Sequence, residues 1–384
     1  MGTKLKSRCN GTNLVYAKEI LRSSLATGRS YKSMKNTPPI SSFRIRTGGF
    51  SLVEVMIAIT LGLLLTAAVL QLFVGNSATF RTTDAISRVQ ENARYAQSVL
   101  NQELRMVGYR GCLSKQTIAI TNTLNNSSTL AYNFALGLRG YNDLPTSLPS
   151  ELSDLLADDP APLAGSDLLL VQGPTGPSIP IVANNNAAQL FASADAATEL
   201  TTGDIALVTD CSKARVFQIT NLTAAANRTN VVHSNSGAFI PGNAISFWDP
   251  NDKNQIFGPG SELMSYRSST YYLAINPDRG TRALFHKINS QEAEVLMDDV
   301  YALQILYGVD SNGDRQTDLY QNAAAITDWS RVLTIRLQLI LGSEEAGVVP
   351  QPQSLAFNGS TFTAPDTRWY MSSVVTAVLR NRLN

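Results

Sequence analysis

Histidine is almost missing from this chain: 384 residues hold only His233 and His286. That excludes paired-histidine zinc motifs such as H-E-x-x-H. Charge is thin as well, with Asp, Glu, Lys and Arg at 16% where about a quarter is usual. No G-x-S-x-G elbow, Walker loop or G-x-G-x-x-G fingerprint occurs, so the familiar catalytic and phosphate-cradling signatures are excluded. No other catalytic constellation stands out, and the sequence reads as non-enzymatic. Cysteine is limited to Cys9, Cys112 and Cys211. What the chain does have is apolar material: 44% of residues, enough for a substantial core and against overall disorder.

The net charge of +1 hides an asymmetry. Residues 1–49 carry ten Lys and Arg and one acid, Glu19, while the remainder carries 21 basic and 29 acidic residues, a net of −8. A basic arm therefore precedes an acidic body. Phosphate neutralisation needs clustered Lys and Arg, so nucleic-acid binding by the body is not indicated.

Phe50 to Val74 reads FSLVEVMIAITLGLLLTAAVLQLFV, 25 residues with one charge, Glu54. As a helix it would be about 37 Å long, enough to cross a hydrocarbon layer of about 30 Å. A secretory signal has a shorter apolar region followed by small residues; here Gly48 and Gly49 precede the run. Arg44 and Arg46 lie just upstream, which by the positive-inside rule keeps the N-terminus cytoplasmic and sends the body across the membrane. Glu54 is the anomaly, because a carboxylate in such a helix is costly. On its own it reads as a side chain snorkelling to water or protonated; alternatively it pairs with a positive charge on another chain.

Gly49-Phe50-Ser-Leu-Val-Glu54, with basic residues before it and a long apolar helix after it, closely resembles the class III signal of type IV pilins and pseudopilins. The resemblance implies that prepilin peptidase cuts after Gly49 and that the new terminal residue, Phe50, is N-methylated. It also makes Glu54 the fifth residue of the mature chain, where its carboxylate would neutralise the α-ammonium of a neighbouring subunit in an apolar filament core. There an unpaired carboxylate is costly and a paired one tolerable. Two departures stand out. A 49-residue leader is long for this class, and Met34 offers an alternative start, with residues 1–33 then a mis-annotated start or an unstructured extension. Gln71 stands where many major pilins have a helix-kinking proline, so this helix is expected to be straighter.

After Val74 the pattern turns amphipathic. Ile86, Val89, Ala93, Ala96, Leu100, Leu104 and Val107 recur at spacings of three and four, one face of a helix. No proline interrupts residues 50–108, and Gly108 and Gly111 supply a stop. The expected organisation is a leader at 1–49, a membrane or filament-core helix at 50–74, an amphipathic stem at 75–108 and a β-rich head at 109–384. The fold class is α+β and pilin-like, with the long helix packed on the head.

Within the head, residues 113–165 are rich in Ser, Thr, Asn, Leu and Pro and read as an irregular connection. Beyond it, strands are expected at Asp167–Gln172, Asp204–Thr209, Arg215–Thr220, Thr270–Ile275, Thr281–Ile288, Val300–Tyr307, Val332–Leu341 and Tyr370–Leu379. In RVLTIRLQLIL, apolar Leu333, Ile335, Leu337 and Leu339 alternate with Val332, Thr334, Arg336 and Gln338, as in a strand half-buried against the stem. GYRGC at 108–112, AGSDLLLVQG at 164–173, DIALVTDC at 204–211, VYALQILYGVDSNGD at 300–314 and SSVVTAVLRNRLN at 372–384 resemble PilW-type minor pilins, in the GspJ-like group of large β-rich subunits. That resemblance implies assembly of an initiation complex with other minor pilins and the major pilin, at or near the pilus tip, in support of twitching motility, adhesion or DNA uptake. Before assembly the chain would cross the inner membrane once, with its head periplasmic. Rival readings are a tip-located binding module and a type II secretion pseudopilin.

Cys9 would be lost with the leader. Cys112 and Cys211 would face an oxidising compartment and are expected to pair, since two leftover cysteines in an exported body usually do. Such a bridge would contribute about 4–5 kcal/mol in the chain-entropy model. Asp310, Asn312, Asp314 and Asp318 match part of an EF-hand-like calcium loop. Arg315 replaces its glycine and Gln321 its bidentate glutamate, and Ser311, Asn312 and Gly313 equally suit a plain hairpin turn. No cofactor is required, and calcium is the only candidate. His233 and His286 are expected at the surface or on strands, and Tyr266, Tyr271 and Tyr272 in cross-strand packing or on a binding surface.

Overall fold

The computed structural model describes residues 49–113, 118–237 and 239–382. Residues 1–48, where nearly all of the expected leader with Met34 and Cys9 falls, lie outside the described residues. The chain divides into two compact units, one ending at Ala67 and the other running from Ala68 to the end.

In the first unit the helix begins at Leu52, after Gly49, Phe50 and Ser51 in open conformation. The Val55 N–H closes the first turn on the Ser51 carbonyl at 3.1 Å. Glu54 sits in that turn, where negative charge suits the helix dipole. Every residue from Leu52 to Ala67 is exposed, because apolar residues surround the helix without forming a stripe.

The second unit takes in the rest of this helix, which is unbroken from Leu52 to Met106, and the β-rich head. The periodic stripe is buried as its spacing requires: Val89, Ala93, Ala96, Leu100, Leu104 and Val107 are all nearly inaccessible. Ile86 is half-buried, so the covered stripe starts one turn later than expected. The helix stops at Gly108, whose φ of 69° only glycine adopts cheaply. The Gly108 N–H then donates to the Gln172 carbonyl at 2.8 Å, passing the chain to the sheet.

Two largely antiparallel layers receive the stem. A four-stranded sheet runs Leu319–Gln321, Val300–Val309, Val332–Gly342 and Tyr370–Val378 in spatial order. A twelve-stranded sheet is organised on the 14-residue strand Glu262–Ile275. The first half of that strand pairs with Ile205–Thr209 and briefly with Ile179–Ala183, and its second half with Leu168–Pro174 and Arg282–Ile288. The stem stripe, Leu138, Leu169, Val171, Tyr271 and the apolar face of Val332–Gly342 form one core. Each fully buried Leu or Val there contributes about 1.5–3 kcal/mol.

The eight expected strand segments are all present, most with ends shifted by a residue or two. Thr270–Ile275 is the second half of the longer strand. The polar face of Val332–Gly342 is less open than simple alternation implies. Arg336 stacks over Tyr320 at 3.9 Å, and Gln338 donates to the Ala356 carbonyl and the Ser372 hydroxyl. The hairpin Ser354–Phe357 and Ser360–Thr363 supplies part of that cover. The 113–165 connection contains two short strands and the helix Ser150–Leu155, and is held by Asp159, whose buried carboxylate accepts from Lys287 Nζ at 2.6 Å.

Candidate functional site

The resemblance singles out Gly49, Phe50 and Glu54, and they lie at and just before one helix start. Phe50 is 80% exposed, and an extra methyl at Gly49 would touch nothing among the described residues, so these leave the peptide bond between them open. The Glu54 carboxylate is exposed and has no partner among the described residues. The apolar run continues exposed through Val74: Leu64, Leu65, Leu72 and Phe73 each keep about two-thirds of their surface. By length and composition this helix is fit to cross a membrane.

The stem carries its own polar anchors on either side of its stripe. Glu103 forms an ion pair with Arg267 of the long strand and accepts from the Ser269 hydroxyl at 3.4 Å. Gln97 Nε2 donates to Ser373 Oγ at 3.1 Å. Asn381 Nδ2 lies 3.2 Å from the Arg105 carbonyl and 3.3 Å from that of Val107, caring for acceptors that a helix end leaves open. Periodicity alone marks Glu103 only as off-stripe. Its place beside Leu100 and Leu104 was the available signal.

Cys112 and Cys211 form a disulfide, with Cα atoms 4.8 Å apart and a sequence separation of 99. Cys112 lies just beyond the stem, past Gly111, where the side chains of Thr209, Glu262 and Met264 leave no space for a Cβ. The bridge thus ties the end of the stem to the turn after Ile205–Thr209, with Cys211 at a φ of 67°.

Asp310, Asn312, Asp314 and Asp318 are brought into one loop, and the loop uses their oxygens itself. Asp310 accepts from the Gly313 and Arg315 amides, Asp314 from Gln316, and Asp318 from the amide and hydroxyl of Ser311. The Ser311 bonds hold the Asp318 carboxyl below its usual range. Among the described residues no group of three or more His, Cys, Asp or Glu side chains is placed to hold a metal ion.

The histidines are not surface groups. His233 is fully buried and stacks on Trp248 at 3.8 Å, and burial pushes its pKa down to about 4. His286, on Arg282–Ile288, stacks on Tyr271 at 4.7 Å and is likewise pushed to about 4 by burial. Tyr266, Tyr271 and Tyr272 are core residues, each no more than 1% exposed, and not a binding surface.

Two matches to known families carry these observations further. Residues 44–70 match the prokaryotic N-terminal methylation motif. Residues 270–381 match the family described as Type IV Pilus-assembly protein W, a span from the second half of the long strand to the final turn. Comparison with curated proteins and with solved structures gave no match.

Proposed function

We propose that the chain serves as a PilW-type minor pilin of the type IV pilus, a reading supported by the family matches over residues 270–381 and 44–70, and that its parts serve assembly as follows. Prepilin peptidase cuts between Gly49 and Phe50, and Phe50 receives the N-methyl group. The product is a subunit whose first residue carries a positive charge and whose fifth, Glu54, carries a negative one. In an apolar surrounding each needs a counter-charge, and head-to-tail placement of two subunits supplies both at once. Before release the apolar helix anchors the chain in the inner membrane with its head periplasmic, in keeping with Arg44 and Arg46 upstream. The helix then exchanges lipid for the helices of other minor pilins and the major pilin, and the head joins an initiating complex.

The observation that carries this reading is the register of three features: an open Gly49–Phe50 bond, an unpartnered Glu54 and an exposed apolar run through Val74. A strain lacking the chain is expected to lose surface pili. Full piliation with a defect confined to adhesion or DNA uptake would instead make the head a binding module. Calcium at Asp310, Asn312, Asp314 and Asp318 is a separate proposal. The ion would displace the loop's own amide donors, and a heat or melting shift on calcium titration of the detergent-solubilised chain would establish it.

A further inference from the structure

Where the stem ends, four side chains from distant parts of the sequence bring hydrogen-bond donors into one buried place. Arg110 follows Gly108 by two residues, Gln172 lies on Leu168–Pro174, Tyr266 on Glu262–Ile275, and Arg382 in the final turn Arg380–Arg382. Arg110 is 7% exposed, and Gln172 and Tyr266 are 1% exposed. Arg382 is half-buried. Among the described residues Arg110 Nε, Gln172 Nε2 and Arg382 Nε are buried with no hydrogen-bond partner, and the buried Tyr266 hydroxyl has Arg110 as its neighbouring donor.

The surroundings fix these groups without neutralising them. Gln172 cannot turn away, because its side-chain oxygen accepts the Gly137 N–H at 2.9 Å. Gly137 lies against Arg382, since a Cβ there would come within 3.2 Å of Arg382 Nη2. The two guanidiniums are near enough for Arg382 to feel the charge of Arg110, and both act on the Tyr266 hydroxyl. Their other hydrogen bonds reach only carbonyls, of Ala135 from Arg110 and of Trp329 from Arg382. Asp328 acts on Arg382 from a distance, but its carboxylate is taken by the Ser330 amide and hydroxyl. Desolvation, then the charge of Arg110, draws the Arg382 pKa down to about 10, with Tyr266 and Asp328 acting in the opposite direction.

Buried charges in folded proteins are paired or ligated. Two guanidiniums, an amide N–H and a phenol form a donor set suited to an oxyanion, and guanidinium forks match its geometry. Three of the four side chains are more than nine-tenths buried, so the occupant is small. We propose that Arg110, Gln172, Tyr266 and Arg382 form a binding site for a free inorganic oxyanion, phosphate or sulfate. Such an ion would join the end of the stem, the long strand and the final turn next to the disulfide.

The test titrates inorganic phosphate into the full chain in detergent, in chloride buffer at constant ionic strength, followed by calorimetry and thermal melting. The expected result is saturable heat for one site with a matching rise in melting temperature. Arg110→Gln and Arg382→Gln should each weaken it by roughly tenfold or more, and Tyr266→Phe by less. Glu91→Gln, exposed on the stem about five turns before Gly108, should leave it unchanged. Should Arg110→Gln fail to fold, Arg382→Gln and Tyr266→Phe carry the same reading. Absence of saturable heat in the unaltered chain, or equal affinity in the arginine variants, would overturn the assignment.

Discussion

From Leu52 to Val74 the helix leaves every side chain exposed, whereas from Val89 to Val107 it buries a complete stripe of six. The first stretch is apolar throughout with one charge, the second is mixed, and the arrangement differs as well. The first is greasy all round, so no single surface could cover it, and only a medium or a ring of neighbours can. The second is greasy on one side and charged on the other, and the head covers it. The helix thus joins a part that the described residues leave uncovered to a part that the head covers.

The comparison breaks most completely at the cut site. Gly49→Leu is expected to abolish processing, leaving the precursor at full mass on an intact-mass measurement. Next in size, Glu54→Val should leave cleavage largely intact but reduce recovery in sheared filaments by about tenfold or more, as loss of a paired charge in an apolar core predicts. Wild-type recovery would contradict the proposed pairing. The two halves separate on stability: Leu100→Ala or Leu104→Ala should cost the head about 2–5 kcal/mol, read by denaturant unfolding in detergent. Leu64→Ala, in the exposed half, should not move that transition. Reducing the Cys112–Cys211 bridge should cost about 2–5 kcal/mol in the same assay.

The smallest effect concerns pH. Burial raises the carboxyls of Asp167 and Asp299 to about 6, so their contribution is full below about 4 and is lost as pH rises through 6. His233 and His286 have the opposite sign: folded values near 4, below an unfolded value near 6.5, give stability that is lost as pH falls through that window. His233→Phe removes one acid-side loss, so its melting temperature should fall less than that of the unaltered chain between pH 6.5 and 4.5.

What could be read in advance was local. The proposed cut site, the carboxylate and the apolar run are contiguous, and the stem declares itself by period. Strands such as Val300–Val309 and Val332–Gly342 show continuous or alternating apolar residues. The first half of Glu262–Ile275, ELMSYRSS, does not: its polar residues are buried by pairing on both edges rather than by their own character. The hairpin around Asn358-Gly359 was within reach, since that dipeptide takes positive φ at both positions and sits between Phe357 and Phe362. The burial of His233 against Trp248, and the meeting of Arg110 with Arg382, depend on tertiary packing and leave no local mark.

The central claim is that the exposed half of the helix becomes the start of the mature chain and is carried into the filament. Mass spectrometry of the N-terminal peptide recovered from sheared pili tests it most directly. The account predicts a peptide beginning at Phe50 and one methyl group heavier than its sequence. A peptide beginning upstream of Gly49, or one lacking the apolar run, would contradict it.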